Sequence, residues 1–116
     1  MQKVLRIDGK DVGFKATALT PRIYRHVVGR DMMADMAKIR ESIGKANKNS
    51  EPLNSLDLEI FENVAYIMAK QYDANVPDTA DEWLDMFNTF SIYDVLPEII
   101  NLWQVNEQTT SVPKKK

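Results

Sequence analysis

Between Asn54 and Tyr72 the chain reads N-S-L-D-L-E-I-F-E-N-V-A-Y-I-M-A-K-Q-Y. Leu53, Leu56, Ile60, Phe61, Val64, Ile67, Met68 and Tyr72 recur at spacings of three and four, so a helix here carries a wide apolar stripe that the rest of the chain must cover. Asn54 or Ser55 is placed to cap its first turn, and Asp57 and Glu59 sit where the positive end of the helix dipole favours carboxylates. Leu53 is positioned to close a hydrophobic staple over the entry. Each large side chain buried contributes about 1.5 to 3 kcal/mol, which makes this the core helix.

A chain of 116 residues is long enough to build one domain around such a helix without disulfides or metals. It contains no cysteine, which excludes thiolate catalysis, disulfide staples and Cys-ligated zinc, and suits a reducing compartment. The first residues, M-Q-K-V-L-R-I-D, are charged throughout, and no apolar run approaches the roughly 18 residues of a membrane span. Neither a signal peptide nor a transmembrane helix is expected, and the expected location is cytoplasmic.

The net charge conceals a strong asymmetry. Residues 1 to 50 carry eleven Lys/Arg against five Asp/Glu (+6), residues 51 to 116 carry four against twelve (−8), and the sum is −2. Such halves either fold against one another, or let the basic side of one molecule meet the acidic side of a neighbour in a heterologous contact that builds rings or filaments. A third reading is a bias scattered over a solvated surface, where exposed pairs contribute little.

In chain order, Val4, Leu5 and Ile7, then Val12, Phe14 and Ala16, flank Asp8-Gly9-Lys10-Asp11, which predicts a β-hairpin over residues 1–17. Thr20-Pro21 reads as a capped helix start with Ile23, Tyr24, Val27 and Val28 inward, and Gly29 as its left-handed stop. A second helix from Asp31 puts Met32, Met36, Ile39 and Ile43 on one seam with Met33 beside it, and Gly44 is read as its end. Lys45 to Pro52 reads as a mobile loop. After the core helix, Thr79-Ala-Asp-Glu82 forms a capping box ahead of Trp83, Leu84 and Phe87, and Ser91 to Asp94 forms another ahead of Ile92, Val95, Leu96, Ile99, Ile100 and Trp103. Pro97 is expected to kink or split that last helix, and residues 107–116 to form a flexible tail. The expected fold is therefore mainly α: an N-terminal β-hairpin followed by a compact bundle of about five helices, in a single domain over residues 1–106.

Residues that could carry chemistry are few. His26 is the sole histidine and reads as an exposed polar-face residue among Arg22, Arg25 and Arg30. Asp81, Glu82 and Asp85 open one helix, and dipole complementarity accounts for them without a metal. Asp73 to Asp78 starts like a calcium loop but has Asp78 where that loop needs glycine. No phosphate-binding glycine loop exists, and no cofactor is implied. The two helices around Gly29 also suit a small helix-turn-helix reader of DNA, although the second is rich in Met rather than in Arg, Asn or Gln and the chain is acidic. Trp83, Met86, Phe87, Phe90, Tyr93 and Trp103 crowd the last third, and Met32, Met33 and Met36 form a soft patch in the first. They either fill the core or leave a groove that accepts an apolar helix from a partner. From the residues alone the chain is a non-enzymatic interaction domain.

Four stretches carry a resemblance: D-G-K-D-V-G-F-K-A-T-A-L-T-P-R-I-Y-R at 8 to 25, G-R-D-M-M-A-D-M at 29 to 36, L-D-L-E-I-F-E-N-V-A-Y-I-M-A-K-Q at 56 to 71 and D-E-W-L-D-M-F-N-T-F-S-I-Y-D-V-L-P-E-I at 81 to 99. Together they resemble the tail assembly chaperones of long-tailed bacteriophages and prophages of Gram-positive bacteria. That resemblance implies a non-enzymatic protein of the host cytoplasm that binds the tape-measure protein, a long helical chain, and keeps it soluble while tail-tube subunits assemble around it. It also implies a longer product, made by ribosomal frameshifting, whose extra domain recruits the major tail-tube protein. Neither nucleic acid nor membrane is an implied partner. The terminal Lys114, Lys115 and Lys116 suit either a solubilising basic tail or translation of an adenine-rich slippery run. Under the second reading the gene should show adenine-rich lysine codons and an overlapping downstream frame; mixed codons with no such frame would reject it.

Overall fold

The structure, a computed structural model, describes the backbone of residues 1–49, 54–90 and 92–111 and the side chains of 1–45, 54–90 and 94–104. It is mainly helical with an N-terminal antiparallel hairpin, as the patterning predicts. The elements run β1 (Gln2–Ile7), β2 (Lys10–Lys15), α1 (Thr20–Val28), α2 (Met32–Asn49), α3 (Ser55–Tyr72), α4 (Ala80–Leu84) and α5 (Ile92–Ser111).

The hairpin closes through Asp8 and Gly9, with φ of 53° and 74°. Two successive positive φ values make the tight turn whose twist matches paired strands, and Asp followed by Gly is the pair that adopts it at least cost. Ile7 pairs with Lys10, Leu5 with Val12 and Lys3 with Phe14, so Ile7 and Phe14 share the face that is buried. At Gly29, φ of 82° terminates α1, and its N–H donates to the Arg25 carbonyl at 2.9 Å.

Helix α3 is the centre. Asn54 caps it by accepting from the Asp57 N–H at 2.8 Å, and every residue from Val64 to Ala69 is buried, so the helix is enclosed on all sides rather than along one stripe. The hairpin, α1, α2, α4 and α5 all pack on it. The ends of the predicted stripe differ: Leu56 and Tyr72 are exposed.

Several local expectations are corrected. Leu19, not Thr20, occupies the N-cap of α1, because Thr20 is already engaged: its hydroxyl donates to Gln71 Oε1 at 2.6 Å and accepts from the Thr17 N–H at 2.9 Å. Gln71 Nε2 returns a bond to Thr17 Oγ1 at 2.6 Å, tying the hairpin exit to the last turn of α3. Val27 points out of the inner face expected for α1. Gly44 lies inside α2, where it lacks the positive φ of a helix stop, and the helix continues to Asn49 through the first part of the expected loop. Pro97 does not split α5; the helix runs through it, with Pro97 itself exposed. The backbone of α5 runs on to Ser111, into the expected tail. Leu53, the remainder of the loop to Pro52, Ser91 with its capping box, and Lys114 to Lys116 lie outside the described residues.

One polar cluster, buried at Tyr24 and Asp35 and exposed at Arg30, joins α1 to α2. Arg30 donates to both carboxylate oxygens of Asp35 at 2.8 Å, and the Tyr24 hydroxyl donates to Asp35 Oδ2 at 2.8 Å. Arg30 in the first place, helped by Tyr24, holds the Asp35 carboxyl below its usual range, while burial and the Asp35 charge push the Tyr24 phenol up. An acid with a depressed folded pKa lends stability above its unfolded pKa of about 3.9 and loses it as pH falls through the lower folded value. Asp35→Ala should therefore cost about 1 to 3 kcal/mol at neutral pH by stranding the Tyr24 hydroxyl, and should shrink the loss of stability on acidification. Thermal melts across the acid range check this; an acid limb identical to the wild type would exclude Asp35 as its source.

Candidate functional site

The short helix α4 decides where the late aromatics go. Thr79 Oγ1 accepts from the Glu82 N–H at 3.1 Å, the N-cap half of the capping box predicted from sequence, and the Glu82 carboxylate meets the Thr79 hydroxyl, which donates to Oε1 at 3.1 Å, rather than the Thr79 backbone N–H. The helix then stops at Leu84, and turns from Met86 N–H to Trp83 O and from Phe87 N–H to Leu84 O, both at 3.1 Å, fold the chain back. Released from helical spacing, Phe87 and Phe90 converge on Trp83, with centroids 5.4 Å and 5.6 Å away in edge-on geometry. Phe14 and Tyr66 complete the ring of neighbours at 6.3 Å and 6.0 Å. Such pairs add about 0.5 to 1.5 kcal/mol each beyond area burial.

Trp83 is thus the hub of the core and no part of a free surface: it is 1% exposed. Of the other residues predicted to meet a partner, Phe87, Trp103, Met32 and Met36 are also buried, and Phe90 is half-buried. Met32 and Met36 fill the core with Ile39, so α2 turns its Met seam inward. Only Met86, at 50%, and Met33, at 38%, are exposed, and they belong to different elements. The Tyr93 side chain and Lys114, Lys115 and Lys116 lie outside the described residues.

Met86 nevertheless stands beside an opening. A groove of about 180 Å³ runs between β2, the end of α3 and the segment after α4, with Val12, Gly13, Tyr72, Val76, Met86 and Phe87 in its walls. Tyr72 is 41% exposed, and its ring lies directly against Gly13, where a β-carbon would overlap it. This explains a glycine in mid-strand: it lets an aromatic ring lie flat on the backbone. Tyr72, Val12 and Val76 were not singled out as partner-binding residues from sequence. The available signal was Gly13 within the alternating run from Val12 to Ala16.

The groove is held open by ionic contacts from the hairpin turn. Lys10 Nζ donates to the Met86 carbonyl at 3.2 Å, lies 5.6 Å from the centroid of the Phe87 ring and pairs with Asp8 at 3.3 Å. Asp8 accepts from the Asn88 N–H at 2.9 Å, and that bond first, then Lys10, holds its carboxyl below the usual range. On the other wall, Lys70 Nζ donates to the carbonyls of Ala74 at 3.1 Å and Val76 at 2.5 Å, shaping the turn that brings Val76 into place. The walls offer apolar surface with backbone and ionic supports behind it, an arrangement suited to binding side chains.

The other candidates are placed as follows. His26 is exposed on α1, and no group of three or more His, Cys, Asp or Glu among the described residues could hold a metal ion. In the segment read as a DNA-recognition helix, Met32, Met36 and Ile39 are committed to the core and Arg30 to Asp35. No helix among the described residues is long and apolar enough to cross a membrane. Comparison with family models, with known proteins and with solved structures finds no match for this chain.

Gly13→Ala should displace the Tyr72 ring and cost about 1 to 3 kcal/mol, the usual range for overpacking. In the Tyr72→Ala background the same substitution should cost much less, and a double-mutant cycle by urea denaturation measures the difference. Additive costs would mean that the ring does not rest on Gly13.

Proposed function

We propose that this protein is a tail assembly chaperone that binds the helical tape-measure protein and keeps it soluble during tail morphogenesis. The observation that carries the reading is the presence of Met86 and Tyr72, both substantially exposed, on the walls of one largely apolar groove, while the other aromatic side chains among the described residues are buried or half-buried. A flexible thioether beside a flat ring adapts to varied apolar side chains, which suits a protein that must hold many segments of one long helix rather than one fixed sequence. The four family-like stretches support the same reading, and they include part of the groove's lining, Lys10 to Gly13 with Trp83, Met86 and Phe87, while Tyr72 and Val76 fall between them.

The contact residues in this reading differ from those expected from sequence. Trp83, Phe87 and Trp103 support the groove or the core, and Met86 with Tyr72 meets the partner. The longer frameshifted product, its recruitment of the major tail-tube protein and action in the host cytoplasm belong to the same proposal.

Co-expression with the tape-measure protein encoded by the neighbouring gene tests it. The wild type should yield a soluble complex that co-purifies. A Met86→Asp/Tyr72→Ser variant, both sites being exposed, should retain its cooperative melt and lose most of the complex. A tape measure that stays insoluble beside the wild type would sink the reading, and an unimpaired double variant would move the contact away from this groove.

A further inference from the structure

A second concavity, of about 390 Å³, opens between α1, α3 and the start of α4, away from the groove. Val27, Val28, Tyr66 and Ala80 supply its apolar lining, with Asp78 at its edge. Val27 is 59% exposed, the highest value among the exposed large hydrophobic residues described. An apolar floor with that much open surface is uncovered in the isolated chain.

Its rim is strongly anionic. Asn63 and Tyr66 line the cleft, and Glu59 and Glu62 stand one helical turn before them on the same faces of α3. Asp81 reaches the same region from α4: burial first, then the charges of Glu59 and Asp81, pushes the Glu62 carboxyl up. Burial first, then the charges of Asp78 and Glu82, pushes the Tyr66 phenol up. Among the described residues Asp78 alone of these five carboxylates forms an ion pair, with Lys70 at 3.1 Å, and Glu59 also feels the charge of Arg30. The opposite charge lies on the neighbouring helix. Arg22 and Arg25 of α1 are exposed and form no ion pair among the described residues, and Arg25 stands one turn before the cleft residue Val28.

We propose that this cleft is a self-association surface, occupied by α1 of a second copy, with Arg22 and Arg25 of each copy set against Glu59, Glu62 and Asp81 of the other. Because α1 forms a wall of the cleft it would enter in its neighbour, the two complementary charges share one side of the molecule, and a two-fold axis satisfies both at once. Val27 then lies at the apolar centre, ringed by ion pairs that lose their water. This gives the charge asymmetry of the two halves a structural purpose: the chain carries both members of the pair but does not bring them together within itself.

Analytical ultracentrifugation of the full chain at low and high salt tests the proposal. The wild type should dimerise at low salt and weaken at least about tenfold when screening shortens the Debye length to a few ångströms. Arg25→Glu and Asp81→Lys, both at exposed positions, should each be monomeric and still melt cooperatively, with melting temperatures lowered only by the few degrees that reversing a helix-terminal charge costs. An equimolar mixture of the two, with opposite reversals, should recover a dimer through one intact set of complementary charges. A wild type that stays monomeric at sub-millimolar concentration overturns the proposal and leaves the cleft to a cationic helix of another protein. Dimerisation indifferent to both reversals overturns it as well, by placing the interface elsewhere.

Discussion

A helix that is apolar around its whole circumference cannot be satisfied by one neighbour. From Val64 to Ala69 every residue of α3 is buried, so five other elements must be brought round it, and the order of the chain is the order of that wrapping. The two alanines in this stretch, Ala65 and Ala69, are fully buried and small, which lets neighbouring backbone come close without opening voids. Hairpin, α1, α2, α4 and α5 are each too short or too one-sided to be stable alone. Their shared dependence on α3 makes the domain a single cooperative unit.

Burial alone does not set where each piece of the wrapping sits. That is done by a few polar groups that tie chain-distant segments: Gln71 to Thr17 and Thr20, Asp35 to Arg30 and Tyr24, Asp8 to the segment after α4, and Lys70 to the turn after α3. Tyr66 adds a bond of 2.6 Å from its hydroxyl to the Pro77 carbonyl. The contacts of Asp8 and Lys70 lie on opposite walls of the groove. Its shape is therefore a consequence of how the fold is tied, and does not require a dedicated binding loop.

What could be read in the residues follows from how local the signal was. The Asp8-Gly9 turn, the Gly29 stop, the Asn54 cap and the Thr79 cap on the Glu82 N–H involve neighbours within a few residues, and all four are present. Failures arose where a distant residue outbid a local signal. Thr20 has the chemistry of a cap but is taken by Gln71, fifty-one positions away in the chain. The aromatics are the clearest case: the residues alone left open whether Trp83, Met86 and Phe87 fill the core or line a groove, whereas the helix ends at Leu84 and the chain reverses, sending Phe87 inward and leaving Met86 out. No periodicity argument contains that reversal, because it depends on Asp8 and Lys10 gripping the segment from the far end of the chain.

The small size of the groove constrains how a holding activity could work. A volume of about 180 Å³ admits one or two side chains, so a single copy would grip a helix weakly. Weak contacts become effective when several are linked, since each additional engagement is intramolecular. A pair of copies joined through the α1 cleft would present two grooves on one rigid body, because the cleft and the groove are lined by different residues. Affinity for a long repetitive helix would then arise from number rather than depth. Under the proposed holding function, release of the bound helix would need only the stepwise loss of shallow contacts, which is kinetically easier than emptying one deep pocket.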